Sequence, residues 1–112
     1  MTSFSIAPYR HDLAIIHDTV SQIKKDLSIF DLDIFFSGNE KTAYREVKDQ
    51  LIILFRDLLN RDAEKVFVLL YRIDVSEKKV KEAPVSVAFE EYIAELVLER
   101  ELLKVVMRKL NS

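Results

Sequence analysis

Residues 66–76 read VFVLLYRIDVS, and the fold class depends on the secondary structure that this stretch adopts. Its β-branched and aromatic residues, and the alternation in its second half, are typical of a strand. Its only plausible partner strand lies at residues 31–36, and a two-stranded ribbon is marginal by itself. A helix over residues 63–73 would be apolar nearly all round, which is typical of a central helix wrapped by others. We expect this helix; the alternative is an α+β fold in which 31–36 pairs with 66–75.

The chain has very few turn-forming residues. It contains one glycine and two prolines among 112 residues, whereas an all-β fold needs a turn signal every 8 to 12 residues or so. Apolar residues three and four positions apart predict a first helix that includes Pro8 and ends near Phe30. The pattern Ser37 to Glu40 is typical of a capping box at the start of a second helix, and Ser86 can cap a last helix to about Leu110. The sequence predicts an all-α, single-domain helical bundle with the last helix central.

Composition excludes several classes of protein. The longest apolar run, Val66 to Tyr71, is far shorter than the roughly 20 residues of a membrane-spanning helix. The N-terminal residues have neither the basic lead nor the apolar stretch of a secretory signal, so we expect a cytoplasmic protein formed by residues 1–112. Since the chain has no cysteine, disulfides, thiolate metal sites and cysteine nucleophiles are excluded.

The charge pattern and the histidines argue against nucleic acid, metals and cofactors. The net charge is −2, and acidic residues are interleaved with nearly every basic one, so no concentrated basic face for a phosphate backbone is expected. His11 and His17 are the only histidines, and their spacing places them on different sides of a helix. With a single glycine, the chain has no phosphate-binding loop. We expect no metal and no cofactor.

The last helix has two apolar strips. Residues that recur every seven positions make, with Ile93 and Met107, the strip that we expect to face the core: Phe89, Leu96, Leu103 and Leu110. The second strip consists of Leu98, Leu102 and Val105. Either other helices sandwich the last helix, or a second copy of the chain covers this strip. We expect a homodimer through it, or else another protein partner.

The polar residues near position 74 form a second candidate site. Arg100 falls within the expected core face of the last helix, where an unpaired cation is costly. We expect Asp74 to pair with it. We place a short helix at residues 75–83 after the junction, capped by Asp74 or, alternatively, by Ser76. Arg72 and Glu99 complete a set that could bind a carboxylate or a phosphate.

Three segments resemble a family of small, uncharacterised bacterial proteins. They are Phe36-Ser37-Gly38, the segment from Leu70 to Ser76, and Leu98-Glu99-Arg100-Glu101. The resemblance implies an all-helical domain and brings no established activity. It also implies a shared role, in folding or in function, for the junction and for Glu99 and Arg100.

The sequence thus supports two functions. Many apolar helical faces and almost no catalytic motif indicate a non-catalytic interaction or scaffold domain that self-associates. The alternative is a small-ligand or enzyme site for an acidic ligand, formed by Arg72, Asp74, Glu99 and Arg100.

Overall fold

The computed structural model describes residues 7–111 and contains five α-helices and two single-turn 3₁₀ helices in that range. The helices are α1 (Leu13–Leu27), α2 (Ala43–Arg61), α3 (Ala63–Ile73), α4 (Glu77–Lys81) and α5 (Phe89–Leu110), and the 3₁₀ turns are Ala7–His11 and Ser28–Phe30. None of the described residues forms a strand. The all-α prediction is confirmed, and the ribbon between 31–36 and 66–75 is wrong. The expectation that there is no secretory signal concerns mainly residues 1–6, which lie outside the described range.

The stretch VFVLLYRIDVS crosses the end of α3. The helix ends because Asp74 adopts a left-handed conformation, with φ 68° and ψ 45°. The N–H of Val75 then donates to the carbonyl of Leu70 over 2.9 Å, a common closure at helix C-termini. Ile73 and Val75 are buried on either side of this turn, whereas Tyr71 is 84% exposed. The alternation of apolar and polar residues at 71–75, which resembles that of a strand, is therefore produced by the end of a helix and the turn that follows it.

Two helix starts differ from the sequence predictions. Helix α1 begins after Pro8, because the carboxylate of Asp12 accepts the N–H of Ile15 over 3.2 Å and so caps the helix. The expected capping box at Ser37 does not form. Its N–H and hydroxyl instead donate to the carboxylate of Glu46, in the first turn of α2, over 2.6 and 2.7 Å.

The chain between α3 and α5 turns twice. The hydroxyl of Ser76 accepts the N–H of Lys79 over 3.3 Å, so Ser76 caps α4 as the sequence allowed. Helix α4 is shorter than expected and ends at Lys81. Helix α5 begins at Phe89 after Ala88, beyond the expected Ser86 cap.

Helix α5 packs against α1, α2 and α3, and this places it at the centre of the fold. The strip predicted as an interface is buried inside the chain: Leu98, Leu102 and Val105 are only 2–3% exposed. Leu102 and Val105 pack with Ile15 of α1, and Leu98 belongs to the main core. The prediction that a second copy covers this strip is therefore wrong, because the chain's own helices cover it.

The heptad strip, expected in the core, faces outward for most of its length. Phe89, Leu96 and Leu103 are partly buried, whereas Met107 and Leu110 are 43% and 58% exposed. Ile93, also expected in the core, is fully buried, and Phe89 and Leu96 pack partly against the main core. The sequence therefore assigned most, but not all, of this strip to the wrong face. Of the helices described, none is both long and apolar enough to cross a membrane.

Truncating Leu102 tests this assignment of faces. Leu102→Ala should lower the free energy of unfolding by about 2–5 kcal/mol, because the side chain is fully packed within one chain. Denaturant unfolding at low protein concentration measures this loss. Ile53→Ala is the control, since Ile53 is 64% exposed on α2, and it should cost less than about 0.5 kcal/mol. A Leu102→Ala variant as stable as the control would show that the face is not part of the core.

Candidate functional site

A cleft of about 500 Å³ lies between α4 and α5, beside the left-handed turn at Asp74. Its apolar lining consists of Val75, Leu96 and Leu103, and its polar lining of Asp74, Ser76, Lys79, Glu99 and Arg100. The two helices are tied together where the hydroxyl of Tyr92 donates to the carbonyl of Lys79 over 2.6 Å. The cleft therefore follows from the two turns that bring the chain back to α5.

The predicted ion pair between Arg100 and Asp74 is confirmed. Nη2 of Arg100 lies 2.9 Å from Oδ2 of Asp74. The side chains are 33% and 81% exposed, so Arg100 does not lie in the core as the sequence suggested. A pair this exposed contributes only about 0–1 kcal/mol to stability. Nε of Arg100 is shielded from solvent and has no hydrogen-bond partner among the described residues.

Arg72 lies apart from the cleft. Its Nε lies 3.2 Å from Oδ1 of Asp26, so Arg72 joins α3 to α1. The structure brings together Asp74, Glu99 and Arg100 and separates Arg72 from them. The reason is that α3 ends before Asp74, whose left-handed backbone conformation directs its side chain differently from that of Arg72.

A second polar cluster, which the sequence reasoning missed, lies inside the fold between α1 and α5. Glu101 is fully buried and Asp26 is 4% exposed. Gln22 donates to Oδ2 of Asp26 over 3.2 Å. Lys104 makes ion-pair contacts with both carboxyl groups and donates to the carbonyl of Ile73 over 3.1 Å.

The opposite pKa shifts of the two buried carboxyl groups indicate that they share one proton. Burial, together with the neighbouring Asp26, raises the pKa of Glu101 to about 8. Burial opposes ionisation of Asp26 as well, but hydrogen bonds from Glu101 and Gln22 and the charges of Lys104 and Arg72 outweigh it and lower the pKa of Asp26. Apart from the ion-pair contact with Lys104, no donor among the described residues has the geometry of a hydrogen bond to either carboxyl oxygen of Glu101. As an acid, it supplies the proton for a bond to Asp26.

A sequence signal for Glu101 existed. It lies four residues after Val97 and four before Val105, and both of these valines are buried. A helix places such residues on one face. Acidic residues in the first half of a helix also stabilise its dipole, so charge by itself does not distinguish Glu101 from its more exposed acidic neighbours.

A third cluster surrounds Glu95 on the α2 side of α5. The hydroxyl of Tyr44 donates to Oε1 of Glu95 over 2.6 Å, and Nζ of Lys48 lies 3.1 Å from Oε2. The guanidinium of Arg10 lies 4.1 Å from the centre of the Tyr44 ring. Burial and a hydrogen bond with Glu95 raise the pKa of Glu99. Glu99 therefore links this cluster to the cleft.

The cleft is suited to binding. It combines an apolar floor with two cations, Lys79 and Arg100, and two carboxyl groups, Asp74 and Glu99. Within residues 7–111, no group of three or more potential ligands is arranged to hold a metal ion. The hydroxyl of Ser76, which lines the cleft, accepts the hydrogen bond that caps α4.

No protein-family model, curated protein or solved structure matches the chain. The family resemblance of residues 36–101 therefore stays a prediction. Function has to be inferred from the surfaces and clusters described above.

The shared proton predicts a pH-dependent stability. The folded chain keeps the proton of Glu101 up to about pH 8, whereas the ordinary pKa of glutamate is 4.5. The unfolded chain therefore binds fewer protons between these values, and the free energy of unfolding falls as the pH rises through this window. In Glu101→Gln this contribution is absent, so the fall between about pH 5 and pH 8 should shrink by at least about 1.4 kcal/mol, the equivalent of one pKa unit.

Denaturant unfolding across this pH range measures the difference. Glu91→Gln is the matched control, because Glu91 is exposed on the same helix, and it should keep the slope of the unaltered protein. Glu99 is present in all three proteins and cancels from the comparison. Equal slopes for Glu101→Gln and the unaltered protein would contradict the shared proton.

Proposed function

We propose that the protein is a non-catalytic interaction domain that self-associates through the outward face of α5. The observation that carries the proposal is a row of apolar side chains on the solvent side of this helix, here named the outward strip: Leu96, Leu103, Met107 and Leu110. The strip that the sequence favoured as the interface is in the core. The outward strip takes over that role.

The spacing of the outward strip supports a helical partner. Its members are separated by seven, four and three residues, which is the spacing of the narrow seam between two packed helices. The strip extends over about 21 Å, at 1.5 Å per residue. Leu96 packs partly against the main core, whereas Met107 and Leu110 are 43% and 58% exposed, so the second half of the row is largely free of contacts within the chain.

The charges beside the strip support a second copy as the partner. Lys79 and Arg100 lie in the same cleft as Asp74 and Glu99, so the cleft carries both signs in equal number. Around a two-fold axis, each copy presents the same set of charges to the other, and cations can meet carboxylates reciprocally. A partner of one charge sign would meet repulsion from half of the set.

Disrupting the strip should abolish self-association. Leu103→Glu places a carboxylate in the middle of the seam, where its desolvation would be costly. We expect a dimer of the unaltered protein in sedimentation equilibrium and a monomer for this variant, with the same helical circular dichroism. Its dissociation constant should rise at least about 100-fold, or about 2.7 kcal/mol.

Ile53→Glu is the matched control, because Ile53 is an exposed apolar residue on α2, away from the strip. It should leave the dimer intact. An unaltered protein that stays monomeric at high concentration would overturn the proposal, as would equal weakening by the two variants.

A second candidate function is the binding of a small acidic ligand in the cleft. The observation that favours it is the pair of cations, Arg100 and Lys79, that line the cleft together. A carboxylate or phosphate could accept from both groups. Leu96 and Leu103 would contact the apolar part of the ligand.

Thermal unfolding in the presence of succinate or inorganic phosphate tests this candidate. Either anion should raise the melting temperature of the unaltered protein in a concentration-dependent way. Arg100→Gln should lose the effect, whereas Arg45→Gln should retain it, because Arg45 is an exposed cation on α2. Identical responses from the two variants would indicate general ionic effects and exclude this ligand site.

A further inference from the structure

The seam between α1 and the C-terminal half of α5 gathers cations that are dispersed in the sequence. Two adjoining depressions, of about 740 and 430 Å³, follow this seam. The hydrogen bond from Nη2 of Arg108 to Oε1 of Gln22, of 3.2 Å, lies where they meet, since both residues line both depressions. We name as the basic seam the five cations that line them: Lys25, Arg100, Lys104, Arg108 and Lys109.

Carboxylates on this surface do not balance the cations. The larger depression is lined by three of the cations and by no acidic residue. Asp18 is the one acidic residue that lines the smaller depression, and it lies 3.0 Å from Nζ of Lys109. A protein with a net charge of −2 thus has one surface with an excess of positive charge, although Arg100 pairs with Asp74, Lys104 with the buried carboxyl groups and Lys109 with Asp18.

Two of the cations are poorly neutralised. Arg108 bonds to the neutral amide of Gln22, and within the described range no carboxylate lies within ion-pair distance of Arg108 or of the exposed Lys25. Asp26 and Glu101 lie beneath the surface, where both make ion-pair contacts with Lys104. Because they share a proton, they carry one negative charge fewer than two carboxylates would.

The spacing of the cations fits a helix. Arg100, Lys104 and Arg108 follow one another at intervals of four residues, so each step along α5 is about 6 Å. Carboxylates at the same interval on a second helix would repeat at the same distance. Met107, 43% exposed, also lines the larger depression and offers an apolar contact. The surface offers an acidic helix both ion pairs and a groove.

The same lining is less suited to nucleic acid. No aromatic side chain lines either depression, whereas proteins that hold single strands commonly stack bases on aromatic rings. The net negative charge of the whole chain also disfavours a polyanion larger than the seam itself.

We propose that the basic seam docks an acidic helical segment of another protein. This binding goes beyond self-association and has its own test, because Lys25 and Arg108 belong to the seam and not to the outward strip. The two surfaces meet at Met107, which belongs to both.

The test uses two synthetic helical peptides as probes, one with glutamate at every fourth position and one with glutamine there. Each is titrated into the full chain, labelled for NMR, at low ionic strength. The glutamate peptide should bind and perturb the amides of Gln22 and Arg108, and the glutamine peptide should not. Added salt should weaken the binding.

Charge-reversed variants make the test specific. Lys25→Glu combined with Arg108→Glu should weaken binding of the glutamate peptide about tenfold or more. The matched control, Arg45→Glu with Lys78→Glu, makes the same change in net charge at exposed positions outside the seam and should change the affinity less than about twofold. Circular dichroism verifies that both variants are folded.

Any one of four results would overturn the proposal. One is an equal loss of affinity in the two double variants, which would indicate attraction by net charge alone. Two others are perturbation of amides outside the seam and equal binding of the glutamine peptide. The fourth is tighter binding of single-stranded RNA or duplex DNA than of the glutamate peptide at the same salt concentration.

Discussion

The fold depends on the burial of one broad face of α5 against α1, α2 and α3. Ile93, Val97 and Leu102 belong to this face and are almost completely buried. Glu101 lies among them, and it is tolerated because its proton bonds to Asp26 and because Lys104 adjoins both groups. The apolar contacts of this face and the polar cluster around Glu101 together determine how α1 packs against α5.

The sides of α5 that are not buried in the core determine which surfaces are available for binding. On its solvent side lies the outward strip, with the mixed charges of the α4–α5 cleft beside it. On its α1 side lies the basic seam. Each surface differs from the others in polarity, and for this reason we propose a different occupant for each: a second copy, a small anion or an acidic helix.

Much of the fold was predictable because local physical rules dominate it. The scarcity of glycine and proline predicted long helices, and the apolar surface of residues 63–73 predicted the helix α3. Ser76, the alternative to Asp74 as the cap of the short helix, caps α4, and the Asp74–Arg100 pair was anticipated. The predicted cap at Ser37 failed because Glu46, brought near by the loop before α2, bonds to that serine instead.

By itself, the sequence determined the helical class, the end of α3 and the residue types available for binding, because these follow from propensity, capping and spacing within a few residues. Only the tertiary structure decided which strip of α5 is buried: both strips have helical spacing, and the choice depends on which face α1 and α2 cover. It also decided that Arg72 pairs with Asp26 instead of joining the cleft, and that cations from α1 and α5 form one seam. These contacts join residues far apart in the chain, and periodicity within one helix carries no information about them.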